Sequence, residues 1–192
     1  MESTAAINLF AKKHIVLGVT GSVSAYKAVE LASGLTQAGA LVDVILTENA
    51  LHFVSALQFQ SVTGRKASTD ADLWGSLEHV LHITLTHDAD LFVIAPITAS
   101  SLAKLATGLG DNLLSLAALA ATCPFLLSPA MDAHMFHNPE TQMNIKTLEK
   151  RGMSFFGPAE GRMASGLIGL GRFEEPKIIQ AFIGNLLSHE SR

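Results

Sequence analysis

With a single cysteine, Cys123, the chain has no internal disulfide, which fits a reducing compartment, the cytoplasm. Charge is scarce as well: Asp, Glu, Lys and Arg make up 16% of 192 residues against 48% apolar ones, and the net charge is −4. Slight acidity without a basic stripe argues against nucleic acid as a partner. So thinly charged a surface implies burial between subunits, hence a homo-oligomer. The opening "MESTAAINLFAKKH" lacks the apolar run of a signal peptide. One stretch, "LLSLAALAATCPFLLSPAM" over 113 to 131, carries no charge, but Pro124 splits it into an Ala/Leu helix and a short strand, so no membrane span is expected. No repeat, low-complexity segment or linker divides the chain. One domain over 1 to 192 is expected, with its core at about 12 to 188 and flexible tails.

What is present is alternation. "HIVLGVT" (14 to 20), "LVDVILT" (41 to 47), "DLFVIAP" (90 to 96), "PFLLS" (124 to 128) and "MSFFGP" (153 to 158) are short apolar runs that predict strands. Helical spacing occupies 24 to 39, with Gly39 as the stop, and then 99 to 107, 112 to 121, 139 to 152 and 176 to 188. A helical turn and a short helix are expected over 49 to 63 and one or two turns over 82 to 89, while 64 to 79 reads as irregular. Strands apolar throughout, alternating with helices, imply a doubly wound parallel sheet in three α/β/α layers, flavodoxin-like or Rossmann-like. Ligands of such folds lie beyond the carboxyl ends of the strands.

Two strand ends carry phosphate-binding chemistry. "GVTGSVSAYK" places Gly21 and Ser22 before a helix starting near Ser24, where backbone N–H groups and the positive helix end favour an anion. The spacing is neither G-x-G-x-x-G nor a Walker loop, so a mononucleotide suits it better than a dinucleotide. An ordinary turn capped by Ser24 is the alternative. In "APITASS", Thr98, Ser100 and Ser101 open a second helix, and helix capping explains them equally when read alone. His79, His82 and His87 match no metal-binding spacing, and no metal is expected. His82 suits an acid/base or carboxylate-binding role, or a structural one. In "SPAMDAHMFHNPETQ", Met131 and Met135 flank Asp132 and offer an apolar wall for a flat ring. The glycines of "EGRMASGLIGLGRF" (160 to 173) predict a flexible loop, neither helix nor central strand, with Ser165 at its middle.

These pieces, together with "TENALHF" and "NPETQMN", run collinearly over nearly the whole chain. They resemble the flavin-dependent cysteine decarboxylase family, and most of all its phosphopantothenoylcysteine decarboxylase branch. The resemblance implies a flavodoxin-like fold assembled as trimers or dodecamers of trimers, with FMN at a subunit interface. It assigns Gly21, Ser22 and Val23, then Thr47, Glu48 and Asn49, then Thr98, Ala99, Ser100 and Ser101, and finally Ala130 to the flavin. It makes His82 the active-site histidine and gives the substrate Asp132, Met135, Arg162, Met163, Ala164, Gly166 and Arg172. The Gly-rich loop becomes a flap hinged by Gly161, Gly166, Gly169 and Gly171.

The implied reaction converts 4′-phosphopantothenoylcysteine to 4′-phosphopantetheine. Oxidation of the cysteinyl thiol to a thioaldehyde lets carbon dioxide leave to an enethiol, which is then reduced. A phosphopantothenate–cysteine ligase, as a fused domain or a partner, is the implied companion.

Three positions depart from the commoner pattern: Asp132 stands for asparagine, Phe136 for tryptophan and Ser165 for cysteine. A serine hydroxyl is far less acidic than a thiol, and an ionised Asp132 repels a substrate carboxylate unless it is paired. The departures leave three readings: a co-adapted working enzyme in which Asp132 binds the substrate amide, a protein that stops before the last reduction, or an engineered trap. A non-catalytic FMN-binding regulator is a rival from another class. A flavin prenyltransferase of related fold is opposed by His82 and the final loop.

Overall fold

Apolar runs buried on both sides demand a sheet covered on both faces, and the strands pair accordingly. The computed structural model describes residues 9–74 and 80–190. In chain order the first half contains β1 (His14–Val19), α1 (Ala25–Gln37), β2 (Leu41–Leu46), a 3₁₀ turn (Glu48–His52), α2 (Ala56–Thr63), β3 (Ala67–Thr69), a second 3₁₀ turn (Asp70–Asp72) and α3 (Leu81–Thr84). There follow β4 (Leu91–Ile97), α4 (Ala99–Thr107), α5 (Leu113–Ala120), β5 (Phe125–Pro129), α6 (Ala133–His137) and α7 (Pro139–Lys150). β6 (Ser154–Phe155), β7 (Ala159–Arg162), β8 (Ile168–Arg172) and α8 (Pro176–Glu190) complete the chain.

Six parallel strands run in the order β3-β2-β1-β4-β5-β6, and β7 pairs with β8 as a separate antiparallel ribbon. Leaving out the three-residue β3, this is the flavodoxin order, which reverses between β1 and β4 and opens a crevice at their carboxyl ends. Side chains of β1 alternate between two cores. Ile15, Leu17 and Val19 pack with Leu31 and Leu35 of α1 and with Ile179 and Ile183 of α8. Val16 joins Ile94, Leu102 of α4 and Leu114 of α5 on the other face. Gly18 is required where β1 meets α5, since a Cβ there would stand 2.5 Å from Leu114 Cδ1.

Three expectations are revised. Part of 64 to 79 is ordered: β3 pairs with β2 from Val44↔Ala67 to Leu46↔Thr69. Its residues Ala67, Ser68 and Thr69 form no apolar run, so the strand owes its existence to the ladder that β2 presents. "MSFFGP" shortens to Ser154–Phe155. The Gly-rich segment is a hairpin, with Gly161 opposite Gly169, so its pairing leaves no trace in side-chain pattern. The uncharged 113 to 131 stretch is α5 and β5, and no helix among the described residues is long and apolar enough to cross a membrane.

Toward the amino ends of the strands, buried Asp43 accepts hydrogen bonds from His14 Nε2 (2.7 Å), Arg65 Nε (2.6 Å) and Arg65 Nη2 (2.8 Å). Burial pushes the Asp43 carboxyl up, but the bonds from His14 and Arg65 outweigh it and hold the group at about 2. The bond to Asp43 raises His14 against the opposing effect of burial. Stability from Asp43 is therefore present above its ordinary 3.8 and lost as pH falls toward 2. Stability from His14 is present below its ordinary 6.5 and lost as pH rises through the higher folded value. Thermal midpoints measured across pH should plateau between about 4 and 6.5. Asp43→Asn should flatten both flanks and cost about 2 kcal/mol on the plateau; an unaltered profile would refute this account.

Candidate functional site

The loops after β1, β2 and β4 meet at the carboxyl end of the sheet. Thr20 Oγ1 donates to the Pro96 carbonyl (2.9 Å) and accepts from the Thr98 N–H (3.0 Å), joining the first and third loops. The Thr47 N–H donates to the Val19 carbonyl (3.1 Å), and Gly21 lies against Asn49 so closely that a Cβ would stand 2.5 Å from that residue's Cβ. The three predicted flavin segments are thus contiguous. Ser24 stands at the N-cap of α1, yet its side chain makes no capping bond; instead its N–H donates to Ser22 Oγ (3.2 Å). Thr98 caps α4, accepting from the Ser101 N–H (3.5 Å) and donating to Ser101 Oγ (3.3 Å), with Ala99 and Ser100 following. Thr47 Oγ1 accepts from the Ala50 N–H (3.3 Å) at the turn opened by Glu48. Hydroxyls and N–H groups without a carboxylate over 20 to 24 and 98 to 101 are the donor set that a phosphate ester and a polyol chain require.

Beside these loops lies a cavity of about 340 Å³. It is lined by Ser22 and Val23 of the first loop, by Ala130, Met131 and Asp132 after β5, and by Arg162, Met163, Ala164, Ser165 and Arg172 of the hairpin. Ser24 and the expected flap hinge Gly171 also line it, as do Tyr26, Lys27 and Phe173, which were not anticipated. Gly21, Thr47, Glu48, Asn49, Thr98, Ala99, Ser100 and Ser101 border the neighbouring loops without lining this space.

The hairpin lies directly on the β5–α6 connection. The Met131 N–H donates to the Gly171 carbonyl (3.0 Å), and a Cβ on Gly171 would stand 2.3 Å from the Met131 oxygen. Of the four glycines expected to act as hinges, only Gly166, at the turn, has a positive φ (+87°). Gly161, Gly169 and Gly171 sit within strands, where they permit close packing against Arg172, Ala133 and Met131.

At the hairpin turn, Ser165 Oγ donates to Asp132 Oδ2 (2.7 Å), while Asp132 Oδ1 accepts from the His134 N–H (3.0 Å) and so caps α6. The Ser165 bond, aided by the His134 N–H, draws the Asp132 carboxyl below its usual range. Asp132 is therefore an ionised acceptor at neutral pH, and its pairing partner, Ser165, is another of the three departing residues. Met135 lies on α6, exposed and outside the cavity wall, and Phe136 packs edge-on to the His137 ring at 5.6 Å.

His82 is elsewhere. It is half-buried on α3, which packs on α5 ahead of the amino end of β4, and it does not line this cavity. Val80 and Ile83 beside it are exposed. His79 lies outside the described residues, among which no three His, Cys, Asp or Glu gather as metal ligands.

The family described as Flavoprotein matches residues 6–188. The coenzyme A biosynthesis bifunctional protein CoaBC of Bacillus subtilis is 42% identical over 167 residues, covering 87% of this chain and 41% of that protein. The CoaBC of Mycolicibacterium smegmatis is 40% identical over 177 residues, covering 92% and 42%. This chain thus spans about two fifths of the length of the curated relatives it matches. Among solved structures, a Cys→Ser mutant of PPC decarboxylase complexed with pantothenoylaminoethenethiol superposes with a TM-score of 0.85 at 36% identity, over 92% of this chain and 99% of that one. The FMN binding protein AtHal3 gives 0.82 at 35% identity, over 94% and 98%.

Proposed function

This chain belongs to the flavoprotein family, and from that premise we propose that it is an FMN-dependent carboxy-lyase acting on 4′-phosphopantothenoylcysteine in coenzyme A biosynthesis. The observation that carries the reading is the cavity, which joins Ser22 and Val23 of the first flavin loop to Asp132 and to a flap fastened by Ser165. The donor set of the three loops suits FMN, which Gly21, Ser22, Thr47 to Asn49, Thr98 and Ser101, together with Ala130, would hold. FMN, when bound, supplies the two-electron acceptor for the cysteinyl thiol and the donor for the return step.

The chain's own residues do the remainder. Asp132, ionised, accepts the substrate amide N–H. Met131 and Met163 provide an apolar wall, and the flap excludes water from the reactive carbon. Arg162 and Arg172 offer charge-assisted donors to the anionic end of the substrate. His82 positions the departing carboxylate or moves the proton. Because it does not line its own protomer's cavity, it serves the site of a neighbouring subunit in a homotrimer or a dodecamer of trimers. The exposed Val80 and Ile83 supply the apolar surface such a contact buries. The cytoplasm is the expected location, residues 12 to 188 the functional domain, and a ligase domain or partner the source of the substrate, in keeping with the bifunctional relatives.

Purified protein should be yellow and should convert 4′-phosphopantothenoylcysteine to carbon dioxide and 4′-phosphopantetheine. Colourless protein, or yellow protein that releases no carbon dioxide, overturns the reading. Ser165 favours one variant of it. A relative with cysteine replaced by serine is complexed with pantothenoylaminoethenethiol, which supports an enethiol as this chain's product. Carbon dioxide without phosphopantetheine decides for that variant; its yield then stops at one per FMN unless dioxygen takes the two electrons.

A further inference from the structure

Lys27 stands in the first turn of α1, where a cation opposes the helix dipole, and no acidic residue accompanies it there. Its side chain is 13% exposed and reaches the cavity. What holds it is Glu175, in the connection from β8 to α8. Lys27 Nζ donates to Glu175 Oε1 at 2.8 Å, and Arg172 Nη2 donates to the same oxygen at 2.6 Å. The Lys27 bond, followed by the charges of both cations, draws Glu175 below its usual range. One carboxylate oxygen thus gathers two cations that both line the cavity, while Glu175 lies outside its wall.

The local balance is positive in a chain whose net charge is −4. Lys27, Arg172 and Arg162 face the cavity, against Asp132, which is already engaged by Ser165, and the single charge of Glu175. Two cations sharing one carboxylate leave one positive charge uncompensated. A phosphate monoester dianion compensates both and offers several acceptor oxygens, matching a point-charge lysine and a forked guanidinium better than a carboxylate does. We propose that Lys27 and Arg172 form the subsite for the distal 4′-phosphate of the substrate, and that Glu175 holds the pair in place until the phosphate displaces it. The choice of substrate rests on the function proposed above; the anion subsite rests on the clamp.

The phosphate of FMN shares this chemistry, so the test separates the two sources. The full chain loaded with FMN is titrated with 4′-phosphopantetheine, pantetheine and inorganic phosphate, and the cofactor-free chain with FMN and riboflavin. Lys27→Gln should reduce the preference for 4′-phosphopantetheine over pantetheine about tenfold to a hundredfold, with Lys27→Arg restoring it. The preference for FMN over riboflavin should not change. Glu175→Gln should tighten 4′-phosphopantetheine, because it removes the competing carboxylate, an effect that a merely structural Lys27–Glu175 contact does not produce. An unchanged preference in Lys27→Gln, weaker binding in Glu175→Gln, or a loss confined to FMN overturns the proposal. Failure of both pantetheine compounds, with inorganic phosphate still favouring the parent over Lys27→Gln, rejects the substrate and keeps the anion subsite. Failure of all three ligands rejects the subsite.

Discussion

Replacing His82 by Asn is expected to slow carbon dioxide release by about 10²–10⁴-fold while FMN stays bound, the loss typical of removing a positioned acid/base. Asparagine keeps a hydrogen-bonding amide of similar reach but exchanges no proton and carries no charge toward a carboxylate. Among the described residues no histidine lines the cavity, so the proposed role in a neighbouring subunit also fixes how the defect behaves in mixtures. Oligomers reassembled from His82→Asn chains and Asp132→Ala chains, each expected to be impaired alone, should regain activity, because some sites then combine an intact His82 with an intact Asp132. Single-turnover carbon dioxide release and the flavin absorbance of the mixed oligomer measure both points. Full activity in His82→Asn would remove the residue from the reaction, and failure of the mixture to recover would return it to its own protomer.

The second large effect concerns the pair at the flap. Ser165→Cys should raise the ratio of 4′-phosphopantetheine to enethiol, since a thiol is a far better proton donor to the enethiol carbon than a serine hydroxyl. On its own the substitution should give only part of the gain. Asp132 Oδ2 stands 2.7 Å from the hydroxyl being replaced, and an adjacent carboxylate disfavours the thiolate. Asp132→Asn with Ser165→Cys should therefore exceed the product of the two single effects, as residues in direct contact do. An increase of about tenfold or more in the saturated product of the double variant is expected, read by mass spectrometry of the quenched reaction. A ratio equal to that of the parent would mean that Ser165 and Asp132 already complete the reaction as a matched pair.

How much of this was legible follows from where side chains speak and where they do not. β1, β2, β4 and β5 are apolar on both faces, so each appears as a run; β3 appears nowhere, because Ala67, Ser68 and Thr69 are ordered by the ladder of β2 rather than by their own hydrophobicity. The hairpin was hidden for a related reason, since Gly161 opposite Gly169 pairs backbone alone. The Gly and hydroxyl residues at the strand ends were readable as a set, but helix capping explains each turn equally when read alone, and only the fold shows that the three loops touch. The Ser165–Asp132 bond joins positions far apart in the chain and is visible only once the hairpin folds over β5. Lys27 is the instructive omission: it sits inside a helical pattern that absorbs it without remark. A cation in a helix's first turn, with no acid beside it, is locally unfavourable, and such a conflict marks a residue kept for another purpose.

The sheet ends in strands of three residues at β3 and two at β6. The long strands between them have partners on both sides, so the six-stranded sheet offers little unpaired backbone to a neighbouring molecule. Edge-to-edge growth, which accepts any extended segment and propagates without limit, finds almost no template at the ends of this sheet. Contacts through the edges of this sheet are thereby disfavoured, which leaves side-chain surfaces, where shape and chemistry select the partner, as the ground on which the proposed assembly would form.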